Sequence, residues 1–157
     1  MGGFVQEPVL VIGARGMLGR AVAAELSARG VERVPADVSP DPGRGVERFD
    51  MLDADDLATI GGGRYRIVIN CAAWTDVDGA EENEAAATRL NGDAVGALAE
   101  ACRRGGAKLV HYSTDYVFDG NGREPYPVDH PINPVNAYGR SKAVGERLLR
   151  ESGADHL

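Results

Sequence analysis

The sequence feature that most constrains the fold is the segment VLVIGARGMLGRAV, in which a short apolar run leads into three regularly spaced glycines. The run before Gly13 predicts a strand buried on both faces, and the residues after Gly16 have the spacing of an amphipathic helix. Gly13 permits a tight turn, Gly16 lets the backbone approach a pyrophosphate, and Gly19 allows the helix to pack closely on the strand. Because the N-terminus of a helix attracts phosphate, this order of elements predicts a dinucleotide site. A structural turn in a flavodoxin-like sheet is the alternative.

Short strands and helices alternate along the remainder of the chain. We predict further strands at 31–38, 46–50, 65–73 and 107–115. We predict helices at about 17–30, 53–60, 81–106 and 135–152. This alternation is typical of an α/β protein with a doubly wound, parallel, Rossmann-like sheet of strand order 3-2-1-4-5 and helices on both faces. Residues 1–157 are predicted to form a single NAD(P)-binding domain of this kind.

The composition argues against several classes of protein. The 157 residues carry a net charge of −7, which disfavours broad binding of nucleic acid or acidic membranes. No apolar run approaches the ~20 residues of a transmembrane helix, and the N-terminus lacks the pattern of a signal peptide, so we expect a cytoplasmic protein. Cys71 and Cys102 lack metal-ligand spacing and are expected to be reduced thiols, and no metal site is predicted.

Carboxylates at the predicted ends of the second and third strands bear on the choice of coenzyme. Asp37 lies 18 residues after Gly19, where it could accept hydrogen bonds from the adenosine ribose and repel a 2′-phosphate, which favours NADH. Arg15 lies inside the glycine turn and could instead pair with that phosphate, which favours NADPH. Asp50 could reach the adenine amino group or could simply cap the end of its strand. The sequence therefore leaves the coenzyme open between NADH and NADPH.

A second group of polar residues follows the fifth strand and continues on the last helix. The strand leads into HYSTDYVFDG, which places Tyr112, Thr114 and Asp115 at the carboxyl edge of the sheet, where ligands of such folds bind. Tyr138 and Lys142 are four residues apart and share a helix face. An ammonium group lowers the pKa of a nearby tyrosine, which could then donate a proton to a carbonyl oxygen whose carbon receives a hydride. Thr114 could hydrogen-bond the same oxygen, and Lys142 could also hold the nicotinamide ribose.

Together these motifs resemble those of the extended short-chain dehydrogenase/reductases. NCAAWTDVDGAE, HYSTDYVFDG and NPVNAYGRSK are similar to segments of the dTDP-4-dehydrorhamnose reductase family, which catalyses the last step of dTDP-L-rhamnose synthesis. The resemblance implies reduction of a dTDP-4-ketosugar by NADPH or NADH, with Thr114 and Asp115 at the sugar, and it allows a homodimer. It further implies that Tyr138 donates the proton with Lys142 as its partner, and that Asn91 supports a proton-relay water.

The same resemblance implies a row of coenzyme contacts that runs from the pyrophosphate through the adenosine to the nicotinamide half. These contacts are, in that order, Gly16, Met17 and Leu18; Asp37, Asp50 and Met51; and Ala73, Trp74, Thr75 and Tyr112. For Trp74, packing in the core is an equal alternative. His111, on the fifth strand, is interpreted as a packed core histidine.

Members of this family continue through a sixth strand into a smaller substrate-binding lobe, and this chain ends where that strand would start. We therefore expect the coenzyme half of a reductase, without the C-terminal substrate lobe and with an exposed edge on the fifth strand. Two alternatives to the reduction of dTDP-4-dehydro-L-rhamnose stay open. One is another dTDP-4-ketosugar reductase, and the other is a non-catalytic NAD(P)-binding or regulatory subunit.

Overall fold

The computed structural model describes residues 8–157, so residues 1–7, on which the signal-peptide expectation partly rests, lie outside the described residues. Within this range the strands are Val9–Ile12 (β1), Arg33–Asp37 (β2), Glu47–Arg48 (β3), Ile67–Asn70 (β4) and Lys108–His111 (β5). The α-helices are Met17–Ala28 (α1), Ala54–Gly61 (α2), Val77–Glu82 (α3), Glu84–Thr88 (α4), Ala94–Gly105 (α5) and Ala137–Ser152 (α6). Short 3-10 turns lie at Pro42–Arg44 and Asp115–Val117, and a π-helical turn lies at Arg89–Asp93.

The strands form one parallel sheet in the order β3-β2-β1-β4-β5, which confirms the predicted topology. Strand β1 is central, and its Leu10 pairs in register with Val34 of β2 on one side and Val68 of β4 on the other. The register between β4 and β5 places Asn70 beside His111 at the carboxyl edge. Because parallel strands end at the same edge, residues distant in the sequence meet there.

The apolar residues of β1 alternate between the two faces of the sheet. Leu10 and Ile12 belong to a core shared with α2, α5 and α6, whereas Val9 and Val11 belong to a second core beneath α1. All four residues are at most 2% exposed. A strand covered on both sides has no polar face, which explains the continuous apolar run of β1. Burying each such side chain contributes about 1.5–3 kcal/mol.

Glycines let α6 approach the helix before it without an intervening side chain. A β-carbon on Gly92 would lie 2.7 Å from Cγ1 of Val144. On α6, a β-carbon on Gly145 would overlap the carbonyl oxygen of Asn91. The backbone of α6 therefore lies directly against the π-helical turn and the start of α5, at a separation that no larger residue at these positions permits.

The alanine-rich segment that the sequence predicts as one helix over 81–106 is divided in the structure. Its first residues belong to the separate helix α3, which Asp76 caps by accepting a hydrogen bond from the N–H of Gly79 at 2.9 Å. The chain leaves helical geometry at Asn83, where φ is −134° and ψ is 40°. The π-helical turn then interrupts the following helix. The spacing of apolar residues does not reveal this turn. A π-helical turn is a local widening of the helix, and here it lies at the contact with α6.

The remaining boundaries differ from the predicted ones by a few residues. Strand β3 is reduced to two residues, and α6 begins at Ala137 rather than at 135, after Asn136, whose side chain caps the helix. No helix within residues 8–157 combines the length and apolar character needed to cross a membrane.

The outer edge of β5 is paired with the last residues of the chain. The N–H of Leu109 donates to the Asp155 carbonyl oxygen, and the N–H of Leu157 donates to the Leu109 carbonyl oxygen, both at 2.9 Å. The N–H of His111 donates to the Leu157 carbonyl oxygen at 3.0 Å. The expectation of an exposed edge on β5 is therefore wrong, because the tail runs parallel to this strand and satisfies its backbone groups.

The close contact of α6 predicts a large effect of one methyl group. Gly145→Ala should lower the free energy of unfolding by about 1–3 kcal/mol, because its β-carbon must displace the Asn91 carbonyl oxygen. Gly61→Ala is the matched control, since its β-carbon would lie 3.5 Å from Nε of Arg104 and the change should be neutral or stabilise by about 0.4–1 kcal/mol. Urea unfolding measures both variants, and equal stabilities would contradict the close approach.

Candidate functional site

The carboxyl ends of the strands open into a cleft of about 580 Å³, which lies between the glycine turn and α6. This volume is within the usual range for sites that bind small molecules and cofactors. Twelve of the residues predicted from the sequence line it, and they are spread along the chain from position 13 to position 142. They are Gly13, Gly16, Met17, Leu18, Asp37, Asp50, Met51, Ala73, Thr75, Tyr112, Tyr138 and Lys142.

The glycine turn leaves the start of α1 open toward the cleft. Gly13 has a φ of +77°, and a β-carbon there would lie 2.7 Å from the backbone nitrogen of Ala72. A β-carbon on Gly19 would overlap the Gly13 carbonyl oxygen. Gly16 precedes the first residue of α1, and no side chain caps this helix. The first N–H groups of α1 are therefore available to an anion, as the sequence predicts.

Asp37 and Arg15, which carry opposite signals for the coenzyme, are neighbours whose side chains line different spaces. The Asp37 carboxylate lines the cleft and accepts hydrogen bonds from the N–H groups of Arg15 and Ser39, both at 3.1 Å. The guanidinium of Arg15 donates to the Ser39 carbonyl oxygen at 3.3 Å, and Arg15 lines a neighbouring groove instead of the cleft. The carboxylate is thus the group of this pair that a ligand in the cleft would meet.

Small residues after β4 and a buried methionine form two walls of the cleft. Cys71, Ala72 and Ala73 follow β4, and burial raises the pKa of the Cys71 thiol to about 11, so this thiol is neutral at pH 7. Met51 is 3% exposed, and Asp50 beside it accepts a hydrogen bond from the N–H of Leu52 at 2.9 Å. Small and apolar residues therefore line much of the cleft between Asp37 and its polar end.

Lys142 brings a buried amino group to that polar end. The residue is only 2% exposed, and its Nζ donates to the Tyr112 carbonyl oxygen at 2.5 Å. Burial lowers the pKa of Lys142 to about 8, against an opposing effect of the Glu146 carboxylate. The carboxylate of Glu146 itself accepts hydrogen bonds from Ser113 and Arg150. A lysine that can change its protonation near neutral pH is characteristic of a site for proton transfer.

His111 and Asn70 extend the polar contacts of Lys142 toward the sheet. Nε2 of His111 lies 3.3 Å from Nζ of Lys142, and Nδ1 lies 3.2 Å from Nδ2 of Asn70. Burial, with the Lys142 charge as a second cause, lowers the pKa of His111 to about 3. Sequence reasoning missed both residues as site candidates. The available signal is that both residues lie on adjacent strands of the predicted sheet, a few residues before the predicted strand ends, where the register of the pairing places them side by side.

Tyr138 lies in the first turn of α6, and the cap of that helix sets its direction. The Asn136 side chain accepts a hydrogen bond from the N–H of Gly139 at 2.7 Å. The Tyr138 ring meets the Tyr116 ring edge-on, with the ring centres 5.7 Å apart. Tyr138 and Lys142 both line the cleft, so the structure brings the predicted pair to the same space as the glycine turn.

Thr114 and Asp115 adjoin the cleft but are not among the residues that line it. Thr114 Oγ1 accepts a hydrogen bond from the N–H of Tyr116 at 3.2 Å and donates to Oδ1 of Asp115 at 3.3 Å. These contacts form the cap of the 3-10 turn after β5. The preceding residue, Ser113, does line the cleft. Within residues 8–157 no group of three or more His, Cys, Asp or Glu side chains is placed to hold a metal ion.

Asn91 and Trp74 are not among the residues that line the cleft. Asn91 is 1% exposed, and its Oδ1 accepts from the Trp74 N–H at 2.8 Å. Its Nδ2 donates to the Trp74 carbonyl oxygen at 3.0 Å and to Oγ of Ser141 at 2.9 Å. The Trp74 ring packs in a small apolar cluster that includes Tyr138, and its N–H donates to the Asp76 carbonyl oxygen at 2.8 Å. Asn91 thus ties the loop after β4 to α6.

Comparison with known proteins identifies a family whose members are similar to this chain in sequence and in fold. The protein family described as "RmlD substrate binding domain" matches residues 7–157. The chain is 44% identical over 149 residues to a dTDP-4-dehydrorhamnose reductase of Burkholderia thailandensis, covering 95% of this chain and 47% of that protein. It is 43% identical over 143 residues to a dTDP-4-keto-6-deoxy-D-glucose reductase of Streptomyces niveus, covering 89% of this chain and 46% of that protein.

A solved structure supports the comparison at the level of the backbone. The dTDP-4-dehydrorhamnose reductase of Bacillus anthracis, solved in complex with NADP, superposes with a TM-score of 0.86 at 33% identity. The match covers 97% of this chain and 52% of that one. The chain therefore spans about half the length of the relatives that it matches.

The low pKa of His111 predicts that acid destabilises the protein between pH 7 and pH 5. The unfolded chain binds a proton on this residue near pH 6.5, whereas the folded protein does so only near pH 3. Protonation of His111 in the unfolded chain should therefore lower the free energy of unfolding by about 2 kcal/mol as the pH falls from 7 to 5. Urea unfolding at both pH values should show this loss in the wild type and in His156→Gln, an exposed control, but not in His111→Gln. An equal loss in His111→Gln would contradict the prediction.

Proposed function

Because the chain belongs to the family of the RmlD substrate binding domain, we propose that it is the NAD(P)-binding Rossmann domain of a dTDP-4-ketosugar reductase. The observation that carries this proposal is the cleft at the carboxyl edge of the sheet, where the glycine turn, Asp37, Tyr138 and Lys142 line one space. The relatives named dTDP-4-dehydrorhamnose reductase support the conversion of dTDP-4-dehydro-L-rhamnose to dTDP-L-rhamnose as the reaction.

The cleft fits a dinucleotide at both of its ends. Near β1, glycines occupy the positions where a β-carbon would crowd the backbone, and the N–H groups at the start of α1 are free to bind a pyrophosphate. In this proposal Asp37 accepts hydrogen bonds from the adenosine ribose, and the small residues Ala72 and Ala73 line the part of the cleft that leads to Lys142. NADPH or NADH, when bound, supplies a hydride to the carbonyl carbon of the substrate.

The residues at the polar end of the cleft carry the proton chemistry of the proposal. Tyr138 donates its hydroxyl proton to the oxygen of the 4-keto group as the carbon of that group accepts the hydride, so that the ketone becomes an alcohol. Thr114 hydrogen-bonds the same oxygen, Asp115 contacts the sugar, and Lys142 is the cationic partner of Tyr138. Asn91 does not line the cleft and acts by holding the Trp74 loop against α6.

The side chains of Asp37 and Arg15 bear on the choice between NADH and NADPH. The carboxylate of Asp37 faces the cleft and disfavours a 2′-phosphate, whereas the Arg15 guanidinium lies outside the cleft. This geometry favours NADH. The NADP bound to the Bacillus anthracis relative favours use of both coenzymes.

A second candidate within the same class has direct support. The match to a dTDP-4-keto-6-deoxy-D-glucose reductase of Streptomyces niveus is almost as strong in identity and coverage as the match to the rhamnose enzyme. The proposed contact of Asp115 with the sugar gives no reason to prefer one of the two sugars. The two dTDP-ketosugars should therefore be tested side by side.

Coenzyme binding is the first test of the proposal. Titration of the chain with NADH and with NADPH, followed by the coenzyme fluorescence, should give saturable binding. Gly16→Ala should weaken it by roughly tenfold, because the added methyl group narrows the approach of a pyrophosphate to the backbone. Gly43→Ala, in a turn outside the cleft, is the matched control and should bind as the wild type does. Absence of saturable binding in the wild type would refute the proposal.

Tyr138→Phe tests the reductase step. With a dTDP-4-ketosugar and saturating coenzyme, this change should slow coenzyme oxidation by about 10²- to 10⁴-fold while coenzyme binding persists, because only the proton donor is removed. Tyr126→Phe removes a hydroxyl that bonds within a loop outside the cleft, and it should leave the rate unchanged. A wild-type chain that binds coenzyme but reduces neither ketosugar would refute catalysis by these 157 residues and favour a binding or regulatory role.

A further inference from the structure

Three polar side chains form a continuous line from the sheet to α6. Asn70 ends β4, His111 ends β5, and Lys142 lies on α6, and the successive nitrogen atoms are 3.2 and 3.3 Å apart. Asn70 and Lys142 are at most 2% exposed. The proposed reaction uses Lys142 and gives no part to the other two residues.

The first step of the argument is the orientation of the Asn70 amide. Its Oδ1 accepts a hydrogen bond from the backbone N–H of Ala72 at 3.0 Å, so its Nδ2 points toward Nδ1 of His111. Turning the amide over would place its NH₂ group against the Ala72 N–H, which is also a donor. The backbone therefore fixes Asn70 as a hydrogen-bond donor toward His111.

The second step is the position of the proton on the His111 ring. The pKa of about 3 keeps the ring neutral across the physiological range, so one ring nitrogen carries a hydrogen and the other a lone pair. Since the Asn70 NH₂ group can only donate, Nδ1 must be the acceptor. The hydrogen therefore lies on Nε2, which faces Lys142.

The third step is the effect on Lys142. A protonated Lys142 has only hydrogens to present, so it would face the Nε2–H of His111 donor to donor. A neutral Lys142 has a lone pair that can accept this hydrogen. The Tyr112 carbonyl oxygen accepts from Nζ in either state, and Glu146 on α6 is the charged group that opposes deprotonation.

We propose that Asn70 and His111 are positioning residues that present an N–H group to Lys142 and thereby favour its neutral form. The importance of this control rests on the proposed function, in which Lys142 assists Tyr138, but the control itself does not require coenzyme or substrate. In the reductase it sets the pH range in which Lys142 loses its cationic charge. The hydrogen-bonded series of Asn70, His111 and Lys142 therefore affects how the reaction rate changes with pH on the alkaline side of neutrality.

Nuclear magnetic resonance on the wild-type chain tests the first half of the proposal directly. The nitrogen shifts of the His111 imidazole should show a neutral ring with its hydrogen on Nε2 at pH 7. His130 and His156, the other histidines of the sequence, serve as references. A ring with its hydrogen on Nδ1, or a positively charged ring, would overturn the proposal.

A pH titration of Lys142 tests the second half. The chain has two lysines, and Lys108, which is half-exposed and paired with Asp155, is an internal reference in the same spectrum. His111→Gln replaces the fixed N–H with an amide that can turn its oxygen toward Nζ. The pKa of Lys142 should then rise by about one unit or more, a tenfold change in the acid dissociation constant, while that of Lys108 stays unchanged.

Two further variants separate the tautomer from other effects. Asn70→Asp places an acceptor against Nδ1 and should move the ring hydrogen to Nδ1; the nitrogen shifts of the ring are the readout for this variant, because its negative charge raises the pKa of Lys142 in any case. His156→Gln, an exposed change of the same kind, should leave Lys142 unaffected. An unchanged or lowered Lys142 pKa in folded His111→Gln would overturn the proposal, and if that variant does not fold, the wild-type tautomer and Asn70→Asp decide. Failure of the proposed reductase function would appear as lost coenzyme binding or turnover and would leave these spectra unchanged.

Discussion

The contact that the rest of the site depends on is the close approach of α6 to the π-helical turn and the start of α5. Glycines at positions 92 and 145 remove the side chains that would hold these elements apart. Asn91 and Ser141 then hydrogen-bond across the interface at 2.9 Å. Because α6 carries both Tyr138 and Lys142, this contact determines how far the two side chains extend over the carboxyl edge of the sheet.

Burial gives Lys142 the property that a proton-transfer site needs. Desolvation disfavours its charged form, and the structure compensates with one strong acceptor, the Tyr112 carbonyl oxygen, rather than with a directly bonded carboxylate. The carboxylate of Glu146, whose charge favours protonated Lys142, is hydrogen-bonded to Ser113 and Arg150 instead. The protonated and neutral forms of the Lys142 amino group are therefore close in free energy near neutral pH. His111 and Asn70, which are uncharged and lie at the ends of two strands, add the N–H contact that we propose favours the neutral form.

Much of the fold could be predicted because it rests on local patterns. The order of the strands, the glycine turn and the ends of α1 and α5 follow from apolar runs, helical spacing and glycines that stop helices. The interruption of the alanine-rich helix could not be predicted, because Asn83 and the π-helical turn are held by contacts with other parts of the chain. The pairing of residues 155–157 with β5 could not be predicted either, because three residues are too few to show a strand pattern.

For the candidate site, the sequence by itself determined which chemical groups are present and in what order, because glycine spacing and the four-residue step from Tyr138 to Lys142 are local features. Only the tertiary structure decided which of them share the cleft. It placed the Arg15 guanidinium and Asn91 outside and brought Asn70 and His111 to Lys142. The physical reason is that burial, strand register and hydrogen-bond direction depend on groups far apart in the chain, and those properties set the protonation of a buried lysine.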